Sequence, residues 1–336
     1  MAQDGFQVRL AEPVSIPLVI DSNTAGFWQG LSFRFFSSSG RPMITTIDDG
    51  MLTSEVQIDS TAHFPMWIES VWQAADGTLY GWYHHEKVGV CPGTELTIPE
   101  IGALVSYDGG ISFSDLGIVL RSSGMKDCSA QNGYFANGHG DFSVILDREG
   151  RYFYFLTGAY GGDVSEQGVA IMRMSINDLA DPVGKVWKYY NGRWSEPGLG
   201  GQVTPVFQAI SPWQGSSTDS FWGPSIHWNT YLQKFVILMN RSCCAAGWPQ
   251  EGIYLTTTSD ISNPASWSTP VKILDYNDWY PWVLGTGPGE TSAEAGKTVR
   301  LFVRNFSEWE IVFQREDELV LDRVKPPPSP SPFRTN

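Results

Sequence analysis

The sequence predicts an all-β fold, a five-bladed β-propeller, from three observations. Helical periodicity is almost absent along the chain. Short apolar or alternating runs recur instead, and Gly, Asp, Asn and Pro separate them. The runs fall into about five imperfect copies of a four-stranded unit, each roughly 50 to 85 residues long, which is the pattern of propeller blades. A pair of β-sandwiches is the alternative.

The composition agrees with this fold class. The 336 residues include 35 Gly, 21 Pro, 14 Trp, 13 Tyr and 18 Phe, and only 17% of them are charged. Such a composition favours turns and strands over helices. A chain of this length can also bury a large core. We expect one propeller domain at residues 1–325, followed by a Pro/Ser-rich tail at residues 326–336.

Each blade is expected to begin with a hairpin whose second arm follows a tight turn. The first arms are VIDSNTAGFW, MWIESVWQA, GDFSVILD, WGPSIHWN and WYPWVLGTG. The second arms include GTLYGWYHHE after AADG, RYFYFLTG after DREG, and KFVILMNR after NTYLQ. The first arms of a propeller line its central channel. Some of their side chains should therefore face a wet pocket.

Charge and hydropathy exclude two classes of partner. The formal net charge of −14 argues against nucleic acid, because phosphate binding needs clustered Lys and Arg. No run of about eighteen apolar residues occurs, so no membrane span is expected. The N-terminus MAQDGFQVRL lacks the basic-then-apolar order of a signal peptide. We nevertheless favour a secreted or periplasmic protein.

The four cysteines contain no C-x-x-C pair, so a structural zinc site is not expected. Cys91 and Cys128 could pair in an oxidising compartment. Adjacent Cys243 and Cys244 are expected in a loop or at a strand end, where a disulfide between them would be strained.

Three first arms carry one acid in an apolar setting, namely Asp21, Glu69 and Asp141. Burying an unpaired carboxylate costs roughly several kcal/mol, and converging carboxylates also repel one another. Such crowding separates the pKa values of the acids, so that one becomes a proton donor and another a base. Glycoside hydrolysis requires that combination. The three acids are therefore the candidate catalytic residues.

Each acid also has a purely structural interpretation. Asp21 could form an Asx turn with Asn23. Glu69 could be satisfied by an Arg or by backbone donors from a neighbouring blade. Asp141 could cap a turn after Gly140.

Aromatic and polar residues on or beside the channel strands favour a carbohydrate ligand. Aromatic faces stack on the apolar faces of sugar rings, although Trp also serves in cores. His could hydrogen-bond hydroxyls or hold a small ion, and Arg could tune a nearby acid. The candidate substrate-binding residues are Trp28, Trp67, His139, Trp222, His227, Trp282 and Arg304. No cofactor is required for this chemistry. A structural ion in the central channel is left open, and no metal ligands are assigned.

The segment SYDGGISF, Ser106–Phe113, matches the Asp-box of sialidases, S-x-D-x-G-x-x-[WF]. This motif is a structural turn between the third and fourth strands of a blade, so it supports a propeller and says little about chemistry. Sialidases have six blades and need an arginine triad and a nucleophilic Tyr. A sialidase is therefore a minor alternative here.

Four segments carry a resemblance to a known family: DSNTAGFW, WIESVW, GHGDFSV and WGPSIHWNTYLQKFVILMNR. They resemble the five-bladed glycoside hydrolases, which include the arabinanase and xylosidase group of glycoside hydrolase family 43. They also resemble a set of bacterial propellers, some of them linked to endo-acting D-arabinan hydrolysis. The resemblance spans roughly Val19 to Phe313.

The resemblance also implies roles for the acids. In family 43 the first-blade Asp is the general base, a second-blade acid modulates pKa, and a third-blade acid donates the proton. Asp21 would then be the base. That family typically has Asp in blade two and Glu in blade three, and here Glu69 and Asp141 reverse this order. Either of the two is therefore the candidate donor, with the other as modulator.

We expect a glycosidase that cleaves a polysaccharide or oligosaccharide by single-step inversion, with arabinan-like substrates favoured. A non-catalytic, lectin-like propeller is the main alternative, because it would keep the Trp residues without needing converging acids. A scaffold propeller that binds proteins would instead present an exposed apolar patch.

Overall fold

The computed structural model describes residues 5–48 and 50–315, and it is a five-bladed β-propeller. The predicted fold class is confirmed, and the β-sandwich alternative is excluded. The predicted tail at residues 326–336 lies outside the described residues, as do residues 316–325 of the predicted domain. The position of that boundary therefore stays a prediction.

The strands follow the chain blade by blade. Strand β1 (Phe6–Ser15) comes first but belongs to the last blade. Blade 1 contains β2 (Gly26–Gln29), β3 (Ser32–Ser38), β4 (Pro42–Ile47) and β5 (Met51–Glu55). The short β6 (Gln57–Ile58) pairs with the outer edge of blade 2, which contains β7 (Met66–Gln73), β8 (Leu79–Lys87), β9 (Ile98–Ser106) and β10 (Ser112–Leu120).

Blades 3 to 5 repeat this arrangement. Blade 3 contains β11 (His139–Leu146), β12 (Tyr152–Ala159), β13 (Gly168–Ser175), β14 (Val186–Tyr190) and β15 (Arg193–Pro197), with β16 (Phe207–Gln208) paired to β13. Blade 4 contains β17 (Asp219–Asn229), β18 (Lys234–Cys243), β19 (Gln250–Thr258) and β20 (Val271–Leu274). Blade 5 contains β21 (Pro281–Gly285), β23 (Thr298–Val303) and β24 (Phe306–Phe313), while β22 (Glu294–Ala295) pairs with β17.

Helical structure is confined, in the described residues, to 3₁₀ turns at Val164–Glu166, Ile176–Asp178 and Pro264–Ser266. None of the described helices is long or apolar enough to cross a membrane.

The N-terminal strand closes the ring of blades. Strand β1 pairs antiparallel with β24, from Phe6 opposite Phe313 to Ser15 opposite Phe306. Blade 5 therefore has the order β21-β23-β24-β1 and takes its outermost strand from the other end of the chain. This pairing joins the first and last described strands within one blade, so both ends of the described chain are held in blade 5.

Apolar clusters fill the spaces between neighbouring blades. Phe36 and Leu79 belong to a cluster shared by blades 1 and 2. Trp82 of blade 2 packs on Phe153 of blade 3, with ring centroids 5.0 Å apart. Further clusters join blade 3 to blade 4 and blade 4 to blade 5. Neighbouring blades thus bury the apolar faces of their sheets against each other.

The Asp-box lies where the motif predicts. Ser106 ends β9 and Ser112 begins β10. The Asp108 carboxylate accepts the backbone N–H groups of Ile111 at 3.1 Å and Ser112 at 2.9 Å. The motif therefore shapes the turn between the third and fourth strands of blade 2.

All four cysteines are paired. Cys91 and Cys128 form a disulfide with their Cα atoms 5.4 Å apart, which ties the β8–β9 loop to the β10–β11 loop. Cys243 ends β18, as expected for a strand end, and it is joined to Cys244.

Candidate active site

Two of the predicted acids sit at β-bulges in the first strands of their blades. The pairing of β7 with β8 shifts register between Ile68 and Ser70, at Glu69. The pairing of β11 with β12 shifts between Gly140 and Phe142, at Asp141. A bulge re-aims the side chain it carries and is common next to active sites.

The backbone is also unusual at Asp141. Its φ angle is 46°, in the left-handed region that non-glycine residues seldom adopt. Tyr280 and Arg304 have φ angles of 58° and 51°. Such conformations persist only where surrounding structure fixes them, and they concentrate at functional sites. The left-handed conformations of Asp141, Tyr280 and Arg304 therefore point to a functional role for these residues.

Glu69 is held through both carboxylate oxygens. Its Oε1 pairs with His84 Nδ1, and its Oε2 accepts the backbone N–H of Phe142 at 2.9 Å. The Glu69 side chain is fully buried. His84 Nε2 lies 3.7 Å from Glu86 Oε1, and the His84 ring stacks on Trp67 at 4.6 Å. Glu69 is thus a fixed charge at the centre of the site.

Asp141 is a buried carboxyl beside that charge. It is 5% exposed, and one of its oxygens lies within 4.8 Å of ligand atoms of Glu69 and His84. The Tyr160 hydroxyl donates to Asp141 Oδ2 at 2.5 Å. Burial and the Glu69 charge raise the pKa of Asp141 to about 7, although His84 and Tyr160 oppose the shift. The Asp141 carboxyl therefore stays protonated up to about neutral pH.

His84 supplies positive charge among the acids. Burial disfavours the imidazolium, but Glu69, Glu86 and Asp141 outweigh it and raise the pKa of His84 well above its usual value. The charged ring offsets the repulsion between neighbouring carboxylates.

Asp21 joins the site from blade 1. It lies in the segment before β2, which begins at Gly26, and not on the strand itself. Burial raises the pKa of Asp21, whereas the charges of Arg304 and His84 lower it and Glu86 raises it. Asp21 therefore lies close enough to Arg304, His84 and Glu86 for their charges to act on its carboxyl.

The charges of acids from three blades act on the Tyr280 hydroxyl. Burial raises the pKa of this hydroxyl well above its usual value, and the charges of Asp141, Asp21, Glu69 and Glu86 add to the effect. A single buried group thus responds to acids from blades 1, 2 and 3.

Solved structures with the same fold include several glycosidases. A thermostable family-43 glycoside hydrolase has a TM-score of 0.53 at 12% identity, with 98% of this chain and 100% of that chain covered. An exo-1,5-alpha-L-arabinanase from a bovine ruminal metagenomic library has 0.53 at 13%, with 89% and 93% covered. An alpha-L-arabinofuranosidase from Lactobacillus brevis has 0.54 at 10%, with 90% and 94% covered.

The similarity to these structures confirms the predicted resemblance at the level of the fold. No protein-family model matches the sequence, and no curated protein matches it.

Three of the predicted sugar-contact residues lie beside other residues of the site. Trp67 stacks on the central imidazolium, as described above. Trp222 is 4% exposed and packs edge-on against Tyr280, with ring centroids 5.7 Å apart. The Arg304 Nε lies 3.0 Å from Asp278 Oδ1. Trp222 is therefore a buried residue that packs on Tyr280, whereas the Arg304 side chain is partly exposed.

Two predicted tryptophans lie in packing positions. The Trp28 indole donates to the backbone oxygen of Glu290, in the β21–β22 loop, at 2.9 Å. Trp282 stacks on Phe302 at 4.6 Å and donates to the backbone oxygen of Arg304 at 2.8 Å. Trp282 thus positions the backbone of a site residue, and Trp28 joins blade 1 to blade 5.

Both predicted histidines are buried in the packing of the blades. His139 Nε2 lies 3.0 Å from Lys188 Nζ, and burial together with that charge lowers the pKa of His139 well below its usual value. The His227 ring faces Phe313 at 6.1 Å, and burial lowers the pKa of His227 to about 3. Both rings are therefore neutral, and we do not include them in the site.

Sequence reasoning missed three polar residues of the site: His84, Glu86 and Tyr160. Tyr280 lies in the predicted first arm WYPWVLGTG but was not among the candidate site residues. His84 pairs with Trp67 across β7 and β8, and residues two apart on a strand share a face. The run HHE at the end of a predicted second arm was therefore a usable signal for His84 and Glu86. Tyr160 follows β12 directly and had no comparable signal.

Two groups of described residues have the spacing of metal ligands. One contains Asp219 with Cys243 and Cys244, but a disulfide occupies both sulfurs. The other contains Glu69, His84 and Asp141. Glu69 and His84 already pair with each other, and Asp141 accepts the Tyr160 hydroxyl. Neither group is assigned here as a metal centre.

The central channel itself holds a small polar cavity of about 30 Å³. The side-chain oxygens Asn23 Oδ1 and Thr24 Oγ1 are buried and have no hydrogen-bond partner within residues 5–48 and 50–315, and both residues line this cavity. Asn23 also donates to the backbone oxygens of Phe142 at 2.8 Å and Pro224 at 3.0 Å, which ties blade 1 to blades 3 and 4. A polar cavity of this size accommodates an ordered water molecule or a small ion.

Proposed function

We propose that this chain is a glycoside hydrolase in which Asp141 protonates the leaving oxygen and Asp21 activates a water molecule. The observation that carries the proposal is the buried Asp141 carboxyl beside the fixed charge of Glu69, and the Asp21 carboxyl is near enough for the charge of His84 to act on it. A pKa near the working pH is what a general acid needs. Two carboxyls with different protonation states are the essential groups for cleaving a glycosidic bond.

The surroundings favour Asp141 over Glu69 as the donor. Both Glu69 oxygens already accept hydrogen bonds from protein groups, so its negative charge is stabilised and its role is to hold the proton on Asp141. Blade 2 would then supply the modulator and blade 3 the proton donor, as in family 43, although Glu and Asp are exchanged between these two blades in this chain.

The proposed reaction is a single displacement. The Asp21 carboxylate takes a proton from water as the water oxygen attacks the anomeric carbon. The bond to the leaving oxygen breaks, and that oxygen takes the proton of Asp141. Inversion requires the two carboxyls to be about 6.5 to 9.5 Å apart, so that water fits between them.

Arabinofuranose-containing glycans are the first choice of substrate. Structures similar in fold include an exo-1,5-alpha-L-arabinanase and an alpha-L-arabinofuranosidase. The proposal is tested by incubating the purified chain with arabinans, xylans and galactans and measuring released reducing sugar. Hydrolysis by the wild type that Asp141→Asn abolishes would support it. Binding of a glycan with no hydrolysis would favour the sugar-binding alternative.

Tyr160→Phe is expected to move the alkaline limb of the kcat/KM profile upward by about one pH unit. The hydroxyl stabilises the ionised form of Asp141, so its loss raises the pKa of the acid, and the acid stays protonated to higher pH. The matched control is Tyr154→Phe, another buried tyrosine of blade 3. An unmoved limb, or one that moves downward, would contradict the assignment of Asp141 as the donor.

We also propose that ordered water or a small cation fills the channel cavity, where Asn23 and Thr24 would hold it. It would satisfy their unpaired oxygens and link the first strands, and it supplies no step of the reaction.

A further inference from the structure

An aromatic cluster lines one side of the acid site. Its buried members are Phe135, Tyr160, Trp213, Trp222, Trp248 and Tyr280. Trp279 packs against it and is partly exposed, and Tyr134 is 42% exposed. The Tyr134 ring lies 5.1 Å from the ring of Trp248 and 5.9 Å from that of Trp279. Tyr134 and Trp279 therefore present ring surface to solvent above a buried aromatic base.

The cluster reaches the acids at two points. Tyr160, one of its members, donates a hydrogen bond to the proposed proton donor Asp141. At the other point the Arg304 guanidinium lies 5.3 Å from the Trp279 ring, and its charge acts on the proposed base Asp21. A ring bound on the exposed surface of the cluster would therefore lie on the side of the acid site that Tyr160 and Arg304 border.

The loop that carries Tyr134 is rigidly held. Buried Asn132 accepts the backbone N–H groups of Tyr134 and Phe135, both at 2.8 Å. The backbone N–H of Thr97 donates to the backbone oxygen of Tyr134 at 2.7 Å. The Thr97 hydroxyl donates to Glu86 Oε2 at 3.3 Å. The backbone that carries the exposed ring is thus held in place, and the loop needs little ordering when a ligand binds.

We propose that Tyr134 and Trp279 form a substrate subsite that binds a sugar ring by stacking, beside the ring whose bond is cleaved. The apolar C–H face of a furanose or pyranose matches an aromatic face, and the nearby polar rim matches its hydroxyls. The role in hydrolysis rests on the proposed function, whereas the stacking requires only a carbohydrate chain. Because the subsite lies to one side of the acids, it serves oligosaccharides and not single residues.

Tyr134→Ala is expected to raise KM for an arabino-oligosaccharide about three- to tenfold, with kcat nearly unchanged. Tyr134→Phe keeps the ring and should behave like the wild type. Kinetics on an aryl monosaccharide, which does not reach the subsite, should not change in either variant. The control is Trp187→Ala on β14, which removes a tryptophan that is 46% exposed and lies outside the cluster.

Binding is measured separately from turnover by titration calorimetry of arabino-oligosaccharides into Asp141→Asn. A weaker affinity after adding Tyr134→Ala supports the subsite even where the wild type hydrolyses nothing. Equal affinity with and without the ring overturns it, whatever the hydrolysis data show. Failure of every tested glycan to bind overturns it as well. Circular dichroism confirms that each variant is folded.

Discussion

Asp141→Asn is expected to lower kcat on a natural glycan by about 10²- to 10⁴-fold, because the leaving oxygen loses its proton donor. The amide has nearly the same shape as the carboxyl, and it removes a buried acid whose ionisation is unfavourable. Unfolding curves at pH 7 should therefore show that the variant is at least as stable as the wild type.

The sign of this stability effect follows from the raised pKa of Asp141. A group whose pKa is higher in the folded state stabilises the fold below its unfolded pKa, near 3.8, and loses that contribution as pH rises through about 7. The asparagine variant lacks this pH-dependent contribution to the stability of the fold. Its stability relative to the wild type should therefore increase from pH 4 to pH 7.

The leaving group separates a lost proton donor from a damaged fold. A nitrophenyl glycoside has a stable leaving anion that needs little protonation, so Asp141→Asn should cleave it much better than it cleaves the natural glycan. The matched control is Asp147→Asn. Asp147 follows the same strand, has the same exposed fraction of 5%, and accepts the backbone N–H of Arg151 at 2.7 Å. Equal losses from both variants would contradict the assignment.

Asp21→Asn is expected to lower kcat by a similar factor, about 10²- to 10⁴-fold, because water is no longer activated. Here the loss should be equally large on the nitrophenyl glycoside and on the natural glycan, since the attack of water is impaired in both. The variant should fold normally, because Asp21 is only half-buried. Hydrolysis at the wild-type rate would eliminate Asp21 as the base.

Much of the fold follows from local patterns. Turn residues and short apolar runs predicted the hairpins, and their repetition predicted five blades. The closing strand β1 could not be predicted in this way, because its partner β24 lies at the other end of the chain. No local pattern encodes such a distant pairing.

The candidate site was predictable where chemistry conflicts with burial. A carboxylate in an apolar strand such as that of Glu69 is costly, and this cost drew attention to the acids. The tyrosine and histidine partners were missed because they depend on strand register and on bulges. His139 and His227 show the converse: a residue of a first strand can point into the packing of the blades instead of the channel, and alternation alone does not say which.

The most direct test of the account is a carbon-13 NMR titration of the Asp141 side-chain carboxyl, assigned by comparison with Asp141→Asn. We expect a midpoint of about 7, because burial and the Glu69 charge retain the proton. A midpoint near the ordinary value of 3.8 would show that Asp141 is ionised at working pH, and it would contradict its role as the proton donor.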